Sequence, residues 1–519
     1  MNRDMNNRPG PEPRRIVAVG AGKGGCGTSM IAVNLAVFLA QIGKKVVLID
    51  ANLPGAGLHS WFGMSWPEKT ITDILKKRVD SLETVLGPTR VNGLSLLAGA
   101  VDLRGGIGTA QADHDWLMEC IRELEADFVL IDLPPGLHPL ALDIFSGTDV
   151  SIVVTMATPD AVQSTYRLVE ATYLTKLLKN DQIDEFSRKT LSEIGERQGR
   201  SPTAREIVSK LQDIGSPFAD EAANIASTFH PQLIVNQIRV KADEGLGEAM
   251  VAATAKWTGI VSLLLGNVEW DDNVWLSLRR GIPLLIDFPQ SRACRGLERI
   301  VRRLLGQDFN ELFAPADVPP PLHEQNLYEL LEIYPGASEE EVRRGLKQVR
   351  DYFGIDGLAV RGACTEKERE DYQRRAEVAN EILIDKSKRR EYDRATFPDG
   401  FPAQKERFED GRPGVAGRVT SPHDSLPNVE LKDDQMVSGS FLGEIRRERE
   451  IDLEDISNRA KISISYLQAI EEERFEDLPA PVYVRGFVTE YARYLKINSK
   501  RAVEDFMAGY EAYVTKKRK

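Results

Sequence analysis

Gly20-Ala21-Gly22-Lys23-Gly24-Gly25-Cys26-Gly27-Thr28-Ser29 is the stretch that decides the fold. It follows a short β-branched run, Arg15 to Gly20, and precedes an apolar helix expected over Ser29 to Gln41. Strand, glycine loop, helix is the setting of a phosphate-binding loop. Glycines let the backbone curl so that successive N–H groups point at phosphate oxygens, and the helix N-terminus adds a partial positive charge. Ser29, at the helix start, is placed to ligate Mg²⁺. Outward from the loop come further apolar runs, KVVLID (45–50), DFVLID (127–132), VSIVVTM (150–156) and QLIVNQI (232–238), with helical segments between them. Continuous apolar strands alternating with helices predict an α/β fold, a parallel doubly wound sheet covered on both faces. Such sheets bind ligands at the carboxyl ends of their strands, where Asp50, Asp132 and Asn236 fall. Each of these also has a plain structural reading: a strand-end cap for Asp50, a satisfied turn for Asn236. Residues 181–229 break the rhythm and read as a polar helical surface insertion, with Ser201-Pro202 as a helix start.

The loop resembles the deviant Walker A motif of the MinD/ParA family, and the resemblance runs over residues 15–306, closest to regulators of the FlhG/FleN type. It implies a nucleotide site for ATP or ADP with Mg²⁺, lined by Gly22, Lys23, Gly24, Gly25, Cys26, Gly27, Thr28 and Ser29. Lys23 matches the signature lysine that reaches the partner's phosphates in a nucleotide-sandwich homodimer. Asp132 in IDLPPG matches the aspartate that holds the metal through water, alongside Ser29. Asp50, with Leu58 and His59 beyond it, matches switch I, and Asn236 matches the asparagine that reads adenine. Two positions depart from the pattern. Thr28 stands where the family has its P-loop lysine, and Asn52 where it has the switch aspartate beside the attacking water. Loss of one such transition-state contact costs roughly 10²–10³-fold in rate. A neutral amide cannot act as a base. Both departures point to weak or no hydrolysis. In an active enzyme, Lys23 and Asp50 are the catalytic candidates.

The rest of the chain divides by composition. The first 14 residues are polar and expected to be disordered. A proline-bearing linker (307–323) leads to a helical domain (324–397), a second linker (398–437) rich in Pro, Gly, Asp and Ser is expected to be disordered, and a helix-turn-helix domain (438–500) precedes a basic tail (501–519). Asn326–Ile333, the Ser338-capped helix that follows and Arg389-Arg390-Glu391-Tyr392-Asp393 resemble a DnaJ-type J-domain. Its His-Pro-Asp motif is missing at Tyr352-Phe353-Gly354-Ile355-Asp356, which implies a docking surface rather than chaperone stimulation. Residues 440–488 resemble the helix-turn-helix of the RodZ/XRE type, whose RodZ members bind an actin-like protein. Glu471, Glu472 and Glu473 at the end of the candidate recognition helix oppose DNA phosphate. In Arg292–Gly306 an apolar stripe faces away from arginines. It fits a last core helix, with a peripheral membrane contact as the alternative.

A net charge of −12 and a pI near 5.3 argue against coating nucleic acid by bulk charge. The four scattered cysteines suggest neither a disulfide framework nor a zinc site, and fit a reducing cytoplasm, with the inner membrane or a cell pole as peripheral stations. The expectation is a nucleotide-dependent spatial regulator or adaptor that pairs as a homodimer and docks cytoskeletal, motility or polar proteins through its tail. The alternatives are a membrane-cycling ATPase and a DNA-binding transcriptional regulator.

Overall fold

A computed structural model describes residues 14–517 apart from 80, 100–110, 198–201, 308–313, 317, 355–356, 399, 402–435, 450, 452, 454–455, 458–461, 463 and 480. The expected disorder of residues 1–13 and of most of 398–437 lies outside the described residues.

Eight strands form one sheet: β1 (Arg15–Gly20), β2 (Val46–Asp50), β3 (Gly87–Pro88), β4 (Leu94–Leu97), β5 (Phe128–Asp132), β6 (Val150–Met156), β7 (Gln232–Ile238) and β8 (Leu263–Glu269), in the order β3-β4-β2-β5-β1-β6-β7-β8. Every pairing is parallel except β3 with β4. The fold is therefore the α/β architecture expected. β1 is central, with β2 on one side of it and β6 on the other, so the glycine loop leaves the sheet where connections depart in opposite directions. Register sets the polar ends side by side, Asp50 beside Asp132 and Val19 beside Asp132. Strands β3, β4 and β8 were not among the expected ones, β3 being only two residues long. β4 is only LSLL, and β8 is interrupted by Gly266, where its pairing with β7 slips.

The helices used below are α1 (Thr28–Gln41), α2 (Gln111–Glu123), α3 (Pro139–Gly147), α4 (Pro159–Leu178), α5 (Glu185–Arg197), α6 (Ala204–Asp213), α7 (Ala219–Thr228), α8 (Leu246–Ala253) and α9 (Arg292–Gly306). The segment 181–229 is helical, but it is no surface excursion. Leu191, Ile207, Leu211, Phe218 and Ala222 are buried in the same cluster as Ile16, Val129 and Ile131 of the sheet. Helix α6 starts after Thr203, whose hydroxyl and Glu206 form a capping box, rather than at Ser201-Pro202. In α9 the stripe Leu297, Ile300, Val301, Leu304 and Leu305 is buried, so this helix offers no apolar face to a lipid surface. Among the described residues no helix is long and apolar enough to cross a membrane.

The chain after 314 corrects the picture of tethered modules. Helices α10 (Glu339–Phe353), α11 (Glu366–Ile384) and α12 (Lys386–Thr396) belong to one compact unit with the sheet domain. Their buried residues Tyr328, Val342, Phe353, Tyr372 and Leu383 join one hydrophobic cluster with Tyr166, Val235, Met250 and Trp257. The block's aromatic side chains Phe353 and Tyr372 are spent on Trp257 of the sheet domain. Its basic helix face is neutralised by ion pairs, Arg343–Glu339, Arg344–Glu340 and Arg350–Glu377.

The second compact unit holds α13 (Gly439–Glu448), α14 (Ile464–Glu471), α15 (Pro481–Tyr494) and α16 (Ser499–Lys517). Most of the expected middle helix, Leu453–Ala460, and the turn at Lys461 fall outside the described residues. Beyond 500 the chain is not a basic tail but α16, because Ala502, Val503, Phe506, Met507 and Tyr510 give it a buried stripe. The three glutamates at and after the end of α14 all have partners within the bundle. Glu471 is held by Arg446 and Tyr491, Glu473 accepts the Gly439 N–H, and Glu472 pairs with Arg474. Arg446 is likewise spent inside the bundle.

Candidate functional site

The glycine loop connects β1 to α1, with Gly25 at φ +88° and Gly27 at φ +89°, a left-handed conformation that favours glycine. Its tightness is enforced from three sides. A Cβ on Gly22 would sit 2.0 Å from the Ser164 carbonyl oxygen of α4, and one on Gly27 would sit 2.4 Å from Asn236 Nδ2. Gly136, in the turn after Asp132, donates its N–H to the Ala21 carbonyl at 2.9 Å.

Below the loop, Ser29 Oγ donates to Asp132 Oδ2 at 2.6 Å, and the Thr28 hydroxyl also draws on that carboxylate. Asp132 is 1% exposed, and its Oδ1 has no hydrogen-bond partner. Burial, against the pull of Ser29 and with the Asp50 charge nearby, pushes the Asp132 carboxyl up to about 8. An anionic oxygen with an open lone pair beside a serine hydroxyl fits a hard divalent cation, which would supply the charge that burial denies the carboxylate. The residues present therefore fit Mg²⁺, with Ser29 and Asp132 holding it.

Asp50 does structural work in this arrangement. Its Oδ2 accepts the N–H groups of Gly57 and Leu58 at 2.9 and 3.0 Å, and Oδ1 accepts that of Asn52 at 3.3 Å, which fixes the loop after β2. Burial raises its carboxyl while these amides lower it. Asn236 lies under the loop, 2% exposed, with Nδ2 donating to the Cys26 carbonyl at 2.8 Å and Oδ1 accepting the Gln237 N–H. Both ends of its amide are thus engaged by backbone rather than turned to an open surface. Cys26 is buried, and burial pushes its thiol up to about 11, so it is not a reactive thiolate.

Three contributors were not visible in the sequence pattern. Asp160, in the first turn of α4, makes an ion pair with Lys23, and that pairing holds the Asp160 carboxyl down at about 2 and the Lys23 amine above its ordinary value. Ser164 supplies the wall behind Gly22. Gln237, at φ +59°, donates Nε2 to the Gly25 carbonyl at 3.1 Å. Only the Thr158-Pro159-Asp160 helix start marked any of them, and nothing local tied it to a loop about 140 residues earlier.

Residues 12–177 match the family profile described as ParA, NUBPL iron-transfer P-loop NTPase, and residues 441–502 match a helix-turn-helix domain profile. The chain carries a ParA/MinD-family P-loop NTPase domain and a helix-turn-helix domain. An uncharacterized ATP-binding protein of Methanocaldococcus jannaschii is 26% identical to the chain over 244 residues, 47% of this chain and 87% of that protein. The antiactivator FleN of Pseudomonas aeruginosa is 25% identical over 214 residues, covering 40% and 71% respectively. The chromosome-partitioning ATPase Soj of Thermus thermophilus is 33% identical over 143 residues, covering 28% and 55%. The solved cell division ATPase MinD of Pyrococcus furiosus aligns with a TM-score of 0.38 at 20% identity, covering 56% of this chain and 98% of that one. The sheet order of the NTPase domain, described above, carries the fold.

Proposed function

We propose that this protein is a nucleotide-binding spatial regulator that pairs as a homodimer on ATP with Mg²⁺, hydrolyses slowly or not at all, and docks a cytoskeletal, motility or polar protein through its C-terminal module. The observation that carries the reading is the Ser29–Asp132 pair beneath a glycine loop whose own sequence offers one cation, Lys23, with Thr28 at the helix start. Amide donors and a metal held by Ser29 and Asp132 retain a phosphate tail. The missing second cation removes charge stabilisation from the transferring phosphoryl group, so binding outlives chemistry. The relatives' printed roles, an antiactivator and a chromosome-partitioning ATPase, support a nucleotide-binding regulator. Two NTPase domains brought together would present two helix-turn-helix modules at once, raising effective concentration for a bivalent partner.

Calorimetric titration with Mg-ADP and a non-hydrolysable ATP analogue, run beside light scattering, tests this. Saturable binding with analogue-dependent dimers is expected, both lost in Asp132→Ala. Phosphate release at a rate typical of active P-loop ATPases, abolished in Asp132→Ala, would replace the reading with a cycling ATPase. A salt-resistant gel shift by residues 430–519 would favour a DNA-binding regulator.

A further inference from the structure

Two faces of one helix do different jobs in the NTPase domain. In the first turns of α4, Asp160 and Ser164 face the glycine loop: Asp160 pairs with Lys23, and Ser164 walls in Gly22. Val162 and Tyr166, four residues apart, lie on another side of the helix, with Gln163 between that side and the loop-facing one. There they meet the helical block 326–397. The Tyr166 hydroxyl donates to the Ala359 carbonyl, and Val162 and Tyr166 share a buried cluster with Ala359, Val360 and Ala363. Gly362 turns at φ +93° directly against the helix, where a Cβ would meet Gln163 Cγ at 2.8 Å and its Cα at 3.1 Å.

The block is anchored behind this contact. Lys256, 4% exposed and in a π-helical turn (Thr254–Thr258), reaches Glu332 at 2.9 Å and the Tyr372 hydroxyl at 2.6 Å. Its neighbour Trp257 packs edge-on against Phe353 and Tyr372, with ring centroids 5.1 and 5.5 Å away. Glu332 itself holds a left-handed backbone, φ +58°. A Lys–Asp pair in solvent, such as Lys23–Asp160, holds its geometry weakly unless one partner is positioned by its surroundings. Asp160 sits in the first turn of α4, the stretch of helix on which the block packs.

We propose that the block is an autoinhibitory clamp: by bracing α4 through residues 358–363, it keeps Asp160 where it captures Lys23, so nucleotide-driven pairing of two copies waits until the brace loosens. This rests on the nucleotide-dependent dimer proposed above. The chemistry of release is a contest for one ammonium group, between the Asp160 carboxylate of its own chain and a phosphate.

The test uses full-length protein carrying Gly362→Leu, which wedges the brace, Tyr166→Phe, which removes one hydrogen bond at nearly constant volume, and Asp160→Asn, which frees Lys23 directly. Amide hydrogen exchange across 159–166 is followed without nucleotide, and dimerisation by light scattering against a Mg²⁺-bound non-hydrolysable ATP analogue. The expected result is faster exchange in Gly362→Leu and Tyr166→Phe, with dimers forming at about five- to tenfold lower analogue concentration in all three variants. Should Gly362→Leu fail to fold, Tyr166→Phe decides. Dimers favoured by Asp160→Asn but not by the two brace variants, or unchanged exchange in both of those, would overturn the clamp and leave the nucleotide reading standing. Absence of nucleotide binding in every protein, Asp160→Asn included, would remove the reading and the clamp together.

Discussion

Two helical blocks follow low-complexity stretches in this chain, and they are built on opposite plans. The block 326–397 shares its core with the NTPase domain through Trp257, Tyr166 and Met250. The block 439–517 has buried residues of its own in Leu442, Leu467, Ile470, Phe487, Tyr491 and Phe506, with Arg446 and Glu471 paired inside it. A proline-rich approach in the sequence therefore says nothing about whether the next block is independent. What decides it is whether its aromatic side chains find partners at home or across the linker.

The contrast breaks most readily at its seam. Trp257→Ala removes the ring that two block aromatics pack on and is expected to cost about 3–5 kcal/mol in a denaturant titration of the first unit. The transition of the helix-turn-helix block should not move, and a shift of both equally would show that the two plans are one. Gly22→Ala comes next. With its Cβ 2.0 Å from the Ser164 carbonyl, it should abolish measurable nucleotide uptake in calorimetry while the helix-turn-helix block keeps its melting profile. Glu332→Gln should cost about 2–3 kcal/mol, since Lys256 stays buried without its counter-charge, against Arg343→Ala within about 0.5 kcal/mol at an exposed pair.

A pH experiment sharpens the site itself. The Asp132 carboxyl, at an ordinary 3.8 when unfolded, is pushed to about 8 in the fold, so the folded chain binds more protons than the unfolded one between those values. Stability of the metal-free protein should therefore fall as pH rises from about 4 through about 8. Asp132→Asn should flatten that part of the profile. Mg²⁺ uptake should expel close to one proton near pH 7, read by calorimetry in buffers of different ionisation enthalpy. Equal heats in both buffers would mean the carboxylate is already ionised.

The sheet was legible because its strands are long apolar runs; β4 and β8 escaped because one is short and the other broken by Gly266. The loop, Ser29 and Asp132 were legible as a local motif, and the structure brings them together at 2.6 Å. Asp160 and Gln237 were not, because their roles exist only once distant turns meet the loop. The stripe in α16 is present as helical periodicity, Ala502 to Tyr510, and is masked in composition by the basic run Lys516 to Lys519. Of the three glutamates, the sequence could not show that Glu471 is held inside the bundle by Arg446, because it shows charge without its partner.

The seam at Lys256 and Trp257 also constrains descent. These residues lie on the NTPase side of the linker at 307–323, while Glu332, Phe353 and Tyr372, which they hold, lie beyond it. Recombination within that linker would strand a lysine and an indole on one gene product and orphan two aromatic rings on the other. The two segments are therefore expected to be inherited as a pair.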